Sequence, residues 1–324
     1  MQLSYANPVH DGELADPFVW RAGDAYFAIG TGTAEATGSP GDHVFPLLTS
    51  TDLVHWRALG FALVRPDHGL GDTFWAPEVA SRNGTYFLYY SVGHADREHQ
   101  LRVAVADRPE GPYHDTAALT ELASCGFAID PHPFRDADGR DYLFYARDFL
   151  DADANVCAGT ALVVQELASM TRLVGEPTTV ARARWSWQRF AEERAMYGGT
   201  YDWHTLEGPS VVLHDGVYHC MYSGGCWQTD RYGVDYVTAT NVLGPWKDES
   251  TADGARVLQT IPGRVIGPGH HSTVLGPDGQ TRFICYHAWD VAMTARRMCI
   301  DPLRFTGEGL RCDGPTYEPR VLTL

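Results

Sequence analysis

Short strand-like runs of apolar and aromatic residues recur along the chain, and one arrangement of them occurs five times. A turn residue and a glycine lead into an aromatic run: Gly23-Asp24-Ala25-Tyr26-Phe27-Ala28-Ile29, Asn83-Gly84-Thr85-Tyr86-Phe87-Leu88-Tyr89 and Asp138-Gly139-Arg140-Asp141-Tyr142-Leu143-Phe144. Asp215-Gly216-Val217-Tyr218-His219-Cys220-Met221 and Asp278-Gly279-Gln280-Thr281-Arg282-Phe283-Ile284 complete the set. Asn-Gly or Asp-Gly ahead of β-branched and aromatic residues signals a hairpin, because the tight turn needs positive φ. The glycines stand 61, 55, 77 and 63 residues apart, and units of roughly 65 residues hold about four short strands each. The pattern predicts an all-β chain, a five-bladed β-propeller with a funnel on its axis, spanning residues 1–324 as a single domain. An irregular β-sandwich is the competing arrangement. Helical periodicity is scarce; its one amphipathic stretch, Ser186 to Met196, falls in the longest interval and reads as an inserted excursion.

A second regularity points to chemistry. Six to nine residues before each hairpin glycine stands a polar residue in an apolar, proline-containing context: Asp16, Glu78, Asp130, Glu207 and, in the fifth unit, His270. In a propeller the strand before each hairpin is the innermost, so these positions are expected to converge on the axis. A single Asp-Pro is ordinary turn chemistry. Five such residues at one phase of a repeat predict a cluster, and a carboxylate in a low-dielectric funnel is costly unless paired, hydrogen-bonded or used.

Composition narrows the partners. With 44% hydrophobic and 12% aromatic residues the chain has ample material for a core. Its 41 acidic residues against 25 basic give a net charge of −16, which disfavours phosphate backbones and anionic lipid. The expected partner is a small oligosaccharide or glycoside, with neither nucleic acid nor membrane. No apolar run of about 18 residues is present, and the N-terminal residues lack the pattern of a secretory signal. Seven cysteines without a CxxC pair suit reduced buried thiols, so a cytoplasmic location is expected. The 14 histidines contain no HExxH, His-x-His or Cys/His zinc spacing.

Ala15-Asp16-Pro17, Trp75-Ala76-Pro77-Glu78, Ile129-Asp130-Pro131, Glu207-Gly208-Pro209, Gly267-Pro268-Gly269-His270 and Ile300-Asp301-Pro302-Leu303, in this order, resemble glycoside hydrolase family 43. The resemblance runs through nearly the whole chain. It implies a five-bladed propeller that hydrolyses arabinofuranosides or xylosides with inversion, without a cofactor for the chemistry. Carried over by motif, Asp16 looks like the general base, Glu207 the general acid, and Asp130 the third carboxylate that tunes the acid and holds the sugar. Inverting hydrolysis sets base and acid on opposite faces of the sugar, roughly 6.5 to 9.5 Å apart. Glu78 is expected to be a structural acceptor and Trp75 a face for the sugar.

The resemblance also assigns His270 to a calcium or other ion reached through water, and Arg296 to the sugar or the acid, although Arg297 beside it leaves the register open. His132, His204 and His287 are expected to line the pocket or to satisfy carbonyls. The aromatic insert from Trp185 to His204, with Trp227, is expected to form a rim that closes one side of the funnel and favours exo action. The implied enzyme is an exo-glycosidase releasing a pentose, L-arabinofuranose first, with xylose or galactofuranose as alternatives. A non-catalytic carbohydrate-binding propeller is disfavoured because all three carboxylates are retained. No separate C-terminal β-sandwich is expected, and the tail is expected to complete the fifth blade.

Overall fold

The computed structural model describes residues 2–32, 43–121 and 125–324. Strand β1 (Gln2–Tyr5) is followed by five antiparallel, four-stranded blades. The first comprises β2 (Ala15–Ala22), β3 (Ala25–Thr31), β4 (His43–Ser50) and β5 (Arg57–Val64). The second comprises β6 (Thr73–Arg82), β7 (Thr85–His94), β8 (Arg97–Ala106) and β9 (His114–Ala118). The third contains β10 (Ala128–Arg135), β11 (Asp141–Phe149), β12 (Gly159–Ser169) and β13 (Arg172–Ala181). After the inserted β14 (Arg189–Met196) comes the fourth, with β15 (Gly199–His214), β16 (Val217–Gly224), β17 (Gly233–Ala239) and β18 (Lys247–Asp248). The fifth is β19 (Ile266–Leu275), β20 (Arg282–Trp289), β21 (Arg296–Thr306) and β22 (Gly309–Cys312).

Each of the five hairpin glycines joins the first two strands of a blade, at φ of +61°, +84°, +88°, +76° and +69°. The aromatic runs become the second strands, and their alternation explains the closed ring. Along β11, Tyr142, Phe144 and Ala146 pack toward the fourth blade, while Leu143 and Tyr145 pack toward the second. Both faces of a blade are covered, so both parities of the strand are apolar. One hydrophobic cluster lies at each junction: first with second blade, second with third, third with fourth, fourth with fifth, and fifth with first. That closure rules out the sandwich.

One expectation is corrected. The Ser186 to Met196 stretch is not helical: Ser186–Gln188 forms one 3-10 turn and the rest is β14, paired with β15 from Arg189↔His204 to Met196↔Gly199. Tyr197 and Gly198, at φ of +51° and +74°, make the two-residue turn between them. Such a turn matches the strand twist, so the cross-strand ladder overrides the local helical spacing. As expected, the tail completes the fifth blade through β22, and the last strand, β23 (Arg320–Thr323), goes on to pair with β1 against the fifth-to-first junction.

Candidate active site

The five innermost strands, β2, β6, β10, β15 and β19, each carry a bulge, near the start in four of them and midway along the longer β15. The first bulge residue has positive φ in every blade: Asp16 (+51°), Ala76 (+46°), Asp130 (+58°), Gly208 (+57°) and His270 (+39°). These five are the equivalent positions. The expected register therefore holds for Asp16, Asp130 and His270 and is corrected for the other two. Glu207 lies one residue before its bulge, and Glu78 two residues after Ala76. A non-glycine residue in this region is strained by about 1 to 2 kcal/mol, and what offsets it is visible.

In four blades the bulge N–H reaches a side chain of the preceding blade. Ala76 donates to Thr31 Oγ1 (2.8 Å), Gly208 to Asp130 Oδ2 (2.8 Å), His270 to Ser223 Oγ (2.7 Å) and Asp16 to His287 Nδ1 (3.1 Å). Thr31, Ser223 and His287 occupy matching positions on second strands, each paired with the residue before a bulge. The third blade has Ala146 there, which offers no acceptor, and the Asp130 carboxylate takes over.

Asp16, Asp130 and Glu207 line one hollow of about 230 Å³ together with Thr31, Trp75, Ile129, Trp227, His270 and Arg296. Asp16 Oδ1 is 3.4 Å from Arg296 Nη1, 3.4 Å from His270 Nδ1 and 3.3 Å from His287 Nδ1. Burial works to raise this carboxyl, but His270, the Arg296 guanidinium and His287 outweigh it and hold it well below its ordinary range. His270 and His287 are themselves lowered, chiefly by burial, the latter to about 4. Arg296 is thus the cation that remains beside Asp16 at neutral pH.

The other two carboxylates move the opposite way. Burial, then repulsion from Glu207 and Asp16, raises Asp130 well above the usual value against the Gly208 N–H. Glu207 is raised to about 7, first by burial and also by Asp16, although the Tyr232 hydroxyl donates to its Oε1 at 2.6 Å. Repulsion between Glu207 and Asp130 lets the two together hold a proton that neither would keep alone in water. One bare carboxylate thus faces a proton-holding pair across a single hollow.

The remaining expected residues divide. Trp75 lines the hollow and its ring stacks on His99, centroids 3.7 Å apart. Trp227 lines it too, under Arg296, whose guanidinium carbon is 4.3 Å from the indole centroid. The doubled arginine is resolved: Arg296 faces Asp16, while Arg297 pairs with Asp290 at 3.4 Å. For His204 the pocket-lining reading is corrected and the carbonyl reading holds. It stands three residues from Glu207 on one strand, hence on the opposite face, its Nδ1 bonds the Asp202 carbonyl at 3.0 Å, and its backbone carbonyl seals against Gly159. Glu78 is buried, accepting from His132 Nδ1 at 2.7 Å, and His132 Nε2 accepts the Val211 N–H at 3.1 Å. That chain ties the second, third and fourth blades.

The ion expected at His270 through water gains no support from the side chains around it. Calcium takes six to eight oxygens, and the Nδ1 of His270 is directed at Asp16 and Asp130, at 3.4 and 3.9 Å. Among the described residues no three His, Cys, Asp or Glu side chains are grouped to hold a metal. Tyr232 and His99 were not singled out by the sequence reasoning, and His287 was expected only to line the pocket or to satisfy a carbonyl, not to accept the Asp16 N–H. Only His287 carried a signal, as the lone histidine ending a second strand where the other blades have Thr, Ser or Ala.

Comparison with known proteins identifies relatives of the chain. The model of glycosyl hydrolases family 43 matches residues 5–310. Beta-D-galactofuranosidase xynD of Aspergillus niger is 28% identical over 94% of this chain and 83% of its own length. An extracellular exo-alpha-(1->5)-L-arabinofuranosidase of Streptomyces avermitilis is 23% identical over 88% of this chain and 56% of its own. The crystal structure of a thermostable family-43 glycoside hydrolase superposes with a TM-score of 0.81 at 29% identity, covering 98% of each chain.

Proposed function

The chain belongs to glycosyl hydrolases family 43, and from that premise we propose that it is an inverting exo-glycosidase releasing terminal α-L-arabinofuranose from short arabino-oligosaccharides. The observation that carries the proposal is the hollow in which Asp16 is held ionised while Glu207 is raised to about 7. A water deprotonated by Asp16 attacks the anomeric carbon as the glycosidic C–O bond breaks, and Glu207 gives its proton to the departing oxygen. Asp130, itself raised well above the ordinary range, accepts the Gly208 N–H beside Glu207 and lines the same hollow, where it can hold a sugar hydroxyl. The His270 ring and Arg296 fix the orientation of Asp16, and the Trp75 and Trp227 rings offer apolar faces to the sugar.

A hollow of about 230 Å³ is below the roughly 300 to 1,000 Å³ of pockets for drug-sized ligands, which supports a site for one terminal sugar. The β14–β15 hairpin supports the same reading. It leans across the third blade, Tyr197 donating to Asp148 at 2.6 Å, and reaches the second through Arg194 and Asp96, also at 2.6 Å. β-D-Galactofuranose is the second reading, favoured by the galactofuranosidase relative; both sugars present a furanose ring. Activity needs no cofactor, and the donor set around His270 gives no support to a calcium ion. Seven unpaired cysteines support the further proposal of a reducing, cytoplasmic location, which cell fractionation tests.

A panel of aryl furanosides and pentopyranosides identifies the sugar. Asp16→Ala and Glu207→Ala should each abolish release while circular dichroism stays unchanged, and proton NMR should show the inverted anomer first. Undiminished turnover in either variant removes that residue from the mechanism.

A further inference from the structure

A second hollow, of about 340 Å³, opens on the far side of the wall that bounds the catalytic one. The wall is a pair of parallel indoles: Trp227, which lines the catalytic hollow, stacks on Trp289, which lines the second (centroids 5.9 Å apart, planes 10° apart). Trp289 is pinned by its Nε1–H to the carbonyl of Trp227 at 2.7 Å, and Arg296 caps both rings. Topology puts the two hollows on one face. Trp289 ends β20 and Arg296 begins β21, at the same rim from which the bulge of β19 enters the funnel.

The chemistry of the lining selects a ligand class. Asp11 and Asp290 are balanced by Arg264 and Arg297, so neither an anion nor a cation is favoured. Tyr317 is 44% exposed, and Arg264 lies over its ring at 5.3 Å. An aromatic ring beside planar guanidinium donors and carboxylate acceptors suits a polyhydroxyl ring, whose C–H face packs on the aromatic while its hydroxyls exchange hydrogen bonds. The volume falls within the range of about 300 to 1,000 Å³ usual for small-molecule sites.

We propose that this hollow, bounded by Trp289, Arg264 and Tyr317, is a second carbohydrate site that holds neutral sugar units of the oligosaccharide whose terminal residue occupies the catalytic hollow. The inference rests on the glycosidase reading and adds to it a preference for chains over single glycosides. Tyr317 and Arg264 lie outside the catalytic hollow, so their loss should spare chemistry on a substrate too short to reach them.

The test compares wild type, Tyr317→Ala, Arg264→Ala and the cavity-filling Val291→Trp on an aryl glycoside and on the pentasaccharide of the sugar that the panel identifies. Val291 lines the hollow and is 58% exposed, so the bulky ring fills space without entering the core. All three variants should keep kcat/KM on the aryl glycoside and raise KM for the pentasaccharide by roughly tenfold. Calorimetry with Glu207→Gln should show the same loss of pentasaccharide affinity when Tyr317→Ala is added. Unchanged pentasaccharide KM in all three variants overturns the second site and leaves the enzyme reading standing. A wild type that turns over no aryl glycoside overturns the enzyme reading itself.

Discussion

Asp16 and Glu207 line the same hollow but are driven to opposite protonation states, and the pH profile follows from that. Glu207 is raised to about 7, so the acid is loaded below that value and lost above it. Turnover should fall about tenfold per pH unit on the alkaline side. Asp16 is held low, so the acid limb lies below the ordinary carboxylate range. The Tyr232 hydroxyl stabilises ionised Glu207; Tyr232→Phe should therefore move the alkaline limb upward by about half a unit to one unit. A limb that stays put, read from kcat against pH, assigns it to another group. The three carboxylates were legible because each sits in a fixed motif beside a hairpin. Tyr232 was not, since it comes from the irregular loop between β16 and β17, whose reach across the fourth blade to Glu207 leaves no mark in the sequence. His204 was misplaced because its parity relative to Glu207 becomes readable only once β15 is known to run unbroken from Gly199.

At the scale of the element, the bulge does two things that a regular strand does not. It turns one side chain to the axis and frees one N–H for the neighbouring blade. Gly208 shows the limits: its φ is +57°, and an added Cβ would stand 3.2 Å from the His270 ring. Gly208→Ala should cost about 1 to 2 kcal/mol of stability and lower kcat at least tenfold by displacing His270 and Glu207, checked by urea unfolding and steady-state kinetics. Full activity would show that the ring of His270 has room to yield. Four of the hairpins were readable from Asn-Gly or Asp-Gly, and the first from Gly23-Asp24. The bulge register was not, because an inserted residue leaves no mark on an apolar run, and proline follows the bulge residue in four blades but not after His270. The β14–β15 turn escaped for a related reason: Tyr197-Gly198 lacks the Asn or Asp that marks such turns.

Across the whole molecule, five apolar junctions hold the ring, and each is shared by two blades. Phe283 is fully buried at the fifth-to-first junction, beside Leu3, Tyr5, Val19 and Tyr26. Phe283→Ala should cost about 3 to 5 kcal/mol, seen as a lower denaturant midpoint, whereas loss of only a few tenths would mean that this junction bears little of the fold. Asp301 secures the same junction, accepting from Tyr5, Tyr286 and Thr316 at 2.7 to 3.0 Å. The net charge of −16, spread over a molecule whose candidate acids number three, describes solubility more than mechanism. The direction of the bulge hydrogen bonds has a consequence in time. In the second, fourth and fifth blades the acceptor is synthesised before the donor. For Asp16 the order is reversed: His270, His287 and Arg296, which neighbour its backbone and carboxylate, lie more than 250 residues downstream. Of the three carboxylates in the hollow, the earliest to leave the ribosome is therefore the last to acquire its charge environment, and on the proposed mechanism a nascent chain has no base poised for water until the fifth blade has docked.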